Sequence, residues 1–95
     1  MADKIKTLSQ AIRLGATFHP QCFYSFHQYD PYDSSKIEGT CALGAASDAV
    51  GIEPNRLRKR FPEVSGNIFY DIIRMNDTEK KTREQIATWL EEQGL

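Results

Sequence analysis

Six consecutive small or apolar residues, Cys41-Ala42-Leu43-Gly44-Ala45-Ala46, interrupt a chain in which 26 % of residues are charged. A run this apolar has to leave water, and its narrow side chains admit other backbones at close range, so it sets the centre around which the rest must pack. Thr40 is placed to cap a helix here and Gly51 to end it, which predicts about three turns over 41–50. Apolar positions fall on every side of that helix, at Cys41, Ala42, Leu43, Ala45, Ala46, Ala49 and Val50, the pattern of a buried helix rather than an amphipathic one. Gly44 costs such a helix up to ~1 kcal/mol relative to alanine, so its presence predicts a backbone or ring in close approach.

The chain has 95 residues, enough for one core, and residues 1–95 read as a single domain. Four further helices follow from caps and periodicity. Asp3 can cap a first helix with Ile5, Leu8 and Ile12 on its stripe and Gly15 closing it in a left-handed turn. Pro54 suits the first position of a helix that carries Leu57 and Phe61 and stops at Pro62. Ser65 can cap a helix with Ile68, Phe69, Ile72 and Ile73 on its apolar stripe, interrupted at Asn76-Asp77-Thr78. Thr82-Arg83-Glu84-Gln85 matches a capping box and opens a last helix that buries Ile86, Trp89 and Leu90 before Gly94. The expected fold class is all-α, an orthogonal or bundle-like domain of about five helices around the 41–50 helix.

Residues 18–32 hold six of the ten aromatic residues: Phe18, Phe23, Tyr24, Phe26, Tyr29 and Tyr32. Cys22, Tyr24 and Phe26 alternate with their neighbours as in a short strand, while Phe23, Phe26 and Asp30 also share a helical face, so periodicity leaves strand or loop open here. Asp30-Pro31-Tyr32-Asp33-Ser34-Ser35 is dense in turn formers and reads as part of an exposed, mobile loop of about ten residues before the buried helix.

A Cys41-Ala42-Leu43-Gly44-Ala45 helix, a later Asn76-Asp77 and a terminal helix led by Thr82 together resemble small uncharacterised proteins of bacterial and phage genomes. The resemblance spans Thr40 to Gly51 and Ile72 to Leu90 and implies a shared fold, with no activity or catalytic residues to carry over. Independently of it, Asn76 or Asp77 can serve the free amides at the start of the 41–50 helix, where a carboxylate is favoured by ~0.3–1 kcal/mol.

Twelve basic and thirteen acidic residues leave a formal charge of −1, so no global field draws the chain to nucleic acid or an anionic membrane. Residues 1–6 lack the apolar core of a signal peptide, and no apolar run approaches the ~20 residues of a membrane span. A cytoplasmic protein without a cofactor and with Cys22 and Cys41 as free thiols is expected.

Four sets of residues carry chemistry worth placing in three dimensions. Cys41 in the first turn of a helix could be an activated nucleophile served by His19 or His27, or simply a small buried hydrophobe. His19, Cys22, His27 and Cys41 could form a tetrahedral zinc site, although their spacing is not diagnostic. The 46–61 unit has the helix, glycine turn and helix order of a helix-turn-helix, and its second half would offer Asn55, Arg56, Arg58, Lys59 and Arg60 to DNA. Tyr24, Tyr29 and Tyr32 suit a protein contact surface, since tyrosine supplies rigid area with a polar tip. Binding is favoured over catalysis: an interaction module for an unknown protein partner, with DNA as the alternative and no membrane association.

Overall fold

The structure, a computed structural model, describes residues 4–95. In chain order it contains α1 (Leu8–Gly15), β1 (His27–Asp30), β2 (Asp33–Thr40), α2 (Ala42–Val50), a 3-10 turn (Pro54–Arg56), α3 (Leu57–Arg60), α4 (Gly66–Asp77) and α5 (Arg83–Glu91).

The Cys41 run forms the expected buried helix, with its start one residue later than Thr40 implies. Cys41 is the N-cap of α2, its Sγ accepting from the Gly44 N–H at 3.4 Å, and Gly51 ends the helix in the left-handed region at φ 72°. Thr40 closes β2 instead. Gly44 is explained by a backbone neighbour: a Cβ there would overlap the carbonyl oxygen of Phe26. Gly15 answers the same demand from the other side. It is the buried last residue of α1 rather than a left-handed terminator, and a Cβ on it would strike the Ala45 carbonyl. Two glycines thus let α1 and the 26–27 segment lie directly against α2.

The cap of α1 is Thr7, whose hydroxyl accepts from Gln10 N–H while the Gln10 side chain accepts from Thr7 N–H. The Asp3 cap falls outside the described residues. Ser65 and Thr82 cap α4 and α5 as the sequence indicates, the latter through a complete capping box with Gln85. Leu8, Ile12, Leu57, Phe61, Ile72, Ile86 and Leu90 are fully buried and pack with Ala42 and Ala46 in one core. Among the described residues, no helix is long and apolar enough to cross a membrane.

The all-α expectation is overturned by β1 and β2, which pair antiparallel and make the fold α+β, with five α-helices and a two-stranded sheet among the described residues. The turn formers that suggested a long mobile loop reverse the chain tightly. The Asp30 carboxylate accepts from Tyr32 N–H at 2.7 Å across Pro31, and His27 comes opposite Thr40 and Tyr29 opposite Ile37. Hydrogen bonds from Cys22 N–H to the Thr40 carbonyl and from Thr40 N–H to the Pro20 carbonyl then fasten the 20–22 segment to the same strand end, each at 2.9 Å.

Candidate functional site

The start of α2 needs partners for its free amides, and a side chain from the far end of α4 provides one. Asn76, 1 % exposed, uses both ends of its amide. Its Oδ1 accepts from Ala42 N–H at 3.1 Å and from the Gln21 side chain at 2.8 Å; its Nδ2 donates to the Cys22 carbonyl at 3.0 Å and to the Asp77 carboxylate at 2.8 Å. Of the two residues proposed for the cap, Asn76 fills the role. Asp77 turns outward and accepts from Tyr24 N–H at 2.8 Å, fixing a residue that sits in the left-handed region at φ 68°. Lys80, itself at φ 56°, closes the clamp, with Nζ 4.2 Å from the ring centroids of both Phe23 and Tyr24 and donating to the Tyr24 hydroxyl. Three residues from the end of α4 and the turn after it, Asn76, Asp77 and Lys80, therefore hold the aromatic 22–26 segment against α2.

That clamp shapes a groove. A hollow of about 160 Å³ lies between the 24–26 segment, the first turn of α2 and the Ile72–Asp77 side of α4. A second, of about 260 Å³, adjoins it and shares Phe26, Leu43 and Ile73 as walls. Each is smaller than the ~300–1,000 Å³ of a typical small-molecule site, a size suited to individual side chains. Large apolar groups stand exposed around both: Tyr24 at 73 %, Tyr70 at 76 %, Phe26 at 43 % and Ile73 at 38 %. Arg58 and Asn55 border the end away from Asp77.

Cys41 borders the smaller hollow with its thiol buried. Burial pushes its pKa up to about 11, outweighing the backbone N–H groups at the helix start that would lower it. His27, a proposed base, pairs with Asp48 at 2.9 Å. Cys22 is buried, donates to the Ser25 carbonyl at 3.4 Å, and is likewise raised by desolvation. His19, Cys22, His27 and Cys41 do not assemble: among the described residues no three His, Cys, Asp or Glu side chains are grouped to hold a metal ion.

The basic residues of 54–61 are divided among different tasks. Arg60 donates to the Ile5 carbonyl at 2.7 Å and lies 4.7 Å over the Phe61 ring. Arg56 borders a separate hollow beside His27 and Asp48, Arg58 and Asn55 border the groove, and Lys59 is exposed. The second helix of the supposed helix-turn-helix is a 3-10 turn followed by the four residues of α3. The three tyrosines also separate. Tyr24 rims the groove, Tyr29 lies on β1 with its ring 6.0 Å from that of His27, and Tyr32 stands at the hairpin turn, 97 % exposed.

Phe26, Tyr70 and Ile73 complete the groove without having been singled out for it. Ile73 lies on the apolar stripe that the sequence predicts for α4, yet of the adjacent pair only Ile72 is fully covered. The available signal was the breadth of the stripe: Ile68, Phe69, Ile72 and Ile73 span more of the helix than one neighbour covers. No family model, curated protein or solved structure matches this chain.

Proposed function

We propose that this protein is a non-catalytic interaction module that receives apolar side chains of a protein partner in the groove between the 24–26 segment, α2 and α4. The observation that carries the reading is the concentration of exposed Tyr24, Phe26, Tyr70 and Ile73 around two adjoining hollows. Contiguous apolar surface with aromatic rims is typical of contact sites, and scattered exposed residues are not. The Asn76, Asp77 and Lys80 clamp adds a second support, because a wall held before binding loses little freedom on binding. The two free cysteines suit a reducing compartment, and we place the protein in the cytoplasm on that ground. DNA binding has weaker support: α3 is a single turn, and Arg60 is engaged with Ile5.

The test is a selection of random peptides displayed on phage against the protein and against Ile73→Asp. Ile73 is 38 % exposed, so the aspartate can reach solvent and the fold should survive, which circular dichroism checks. Peptides rich in apolar anchors should be enriched on the wild type and lose at least about tenfold in affinity for the variant. Selection of no peptide, or of peptides indifferent to Ile73→Asp, overturns the proposal.

A further inference from the structure

The groove is electrically lopsided. Arg58 borders the 260 Å³ hollow together with Asn55 and, among the described residues, forms no ion pair. Its terminal nitrogen lies 3.1 Å from where a Cβ on Gly66 would be, so glycine at the start of α4 leaves room for the guanidinium beside the hollow. Within the same hollow Phe69, Leu43 and Ile73 offer only apolar surface. A cation at the mouth of an apolar hollow complements a ligand that has an apolar group and, beside it, an anionic one.

We infer that the partner segment is acidic and apolar together: a short peptide that seats aliphatic or aromatic side chains in the two hollows and sets a carboxylate against Arg58. The inference rests on the interaction reading above and adds the chemistry of the occupant. Arginine offers a carboxylate paired N–H donors in a fixed plane, which gives the contact direction as well as attraction. A nucleic acid would satisfy Arg58 and leave the apolar walls uncovered, since phosphate contacts are polar and α3 is too short to enter a major groove. A second copy of the chain fits less well, because two concave faces related by a twofold axis leave both hollows empty.

Three synthetic peptides test the assignment, sharing a pair of leucines and differing only in flanking glutamates, serines or lysines. The glutamate peptide should bind most tightly, by about fivefold over the serine peptide, and the advantage should shrink as salt is added. Arg58→Glu should reverse the order of the glutamate and lysine peptides, while Ile73→Asp should weaken all of them together. Arg58 is exposed, and wild-type melting behaviour of Arg58→Glu confirms that the reversal is not a folding defect. Equal or tighter binding of the serine or lysine peptide to the wild type overturns the acidic assignment. So does duplex DNA that binds through Arg58 with no response to Ile73→Asp, or sedimentation showing a dimer that Ile73→Asp dissociates. If all three peptides fail while the displayed library has yielded binders, the acidic assignment falls and the interaction reading stands; if the library yields none, both fall.

Discussion

Asn76 shows how much of the site depends on one amide. Its carbonyl end accepts from the start of α2 and from Gln21, its NH₂ end reaches the Cys22 carbonyl and Asp77, and the residue is 1 % exposed, so water cannot replace a lost partner. The start of α2 and the end of α4 meet in the bond from Ala42 to Asn76. Asn76→Ala strands the Ala42 N–H and the Cys22 carbonyl, each a buried polar group whose isolation costs ~1–3 kcal/mol, so a loss of about 3 kcal/mol or more is expected. Asn76→Asp keeps the acceptor, removes the donors and faces Asp77 with a like charge, and should cost about as much. Urea unfolding of both variants measures this. A loss below about 1 kcal/mol in Asn76→Ala would mean that the α2 start is satisfied without it.

Among the elements, helices with local signals were legible and the hairpin was not. Thr82-Gln85, Ser65 and Gly51 each declare a helix boundary through bonds made within one turn, so neighbouring residues contain the necessary information. The cap at Cys41 in place of Thr40 could not be read this way, because Thr40 is claimed by pairing with Gln21 and His27, distant in sequence. Strand β2 hides for a related reason. Asp33, Ser34, Ser35, Lys36 and Glu38 are exposed, so the strand has no buried face to impose alternation. The groove was illegible as a unit since its walls come from three separated segments, and tyrosine count alone pointed to Tyr29 and Tyr32, which the fold sends elsewhere. An isolated two-stranded hairpin is marginal, so this one depends on its anchors: Cys41 N–H to the Phe26 carbonyl at 3.1 Å, and the His27–Asp48 pair. Asp48→Ala removes the second anchor. Amide exchange in 28–37 should quicken by about fivefold, the equivalent of ~1 kcal/mol, while amides of α5 keep their protection. Loss of protection shared evenly by α5 would instead assign His27–Asp48 to global stability.

At the scale of the molecule, the centre of the fold is a place where charge is poorly tolerated. Arg83 is 7 % exposed and finds only neutral acceptors, the Thr40 hydroxyl at 2.8 Å and the carbonyls of Thr40 and Ala16, so it ties α5 to the strand and to the end of α1. Burial lowers its pKa, which is the same desolvation that raises both thiols. The consequence for stability has a definite sign. Cys41 in the folded protein holds its proton up to about 11, against 9.0 for an ordinary thiol. Below pH 9 the thiol is neutral in both states and this contribution is fully present. Between pH 9 and 11 the unfolded chain releases its proton while the folded chain retains it, so stability falls as pH rises, by about 2–3 kcal/mol in total. Cys22 adds in the same direction. Tyrosines and lysines titrate over the same interval, so the comparison has to be made with Cys41→Ala, which loses the cap bond to Gly44 at every pH but has no proton to release. The difference in unfolding free energy between wild type and Cys41→Ala should therefore narrow steadily from pH 9 to pH 11. A difference that stays constant across that interval would show that Cys41 ionises as readily in the folded protein as in the unfolded chain, and that the interior beside the groove is open to water.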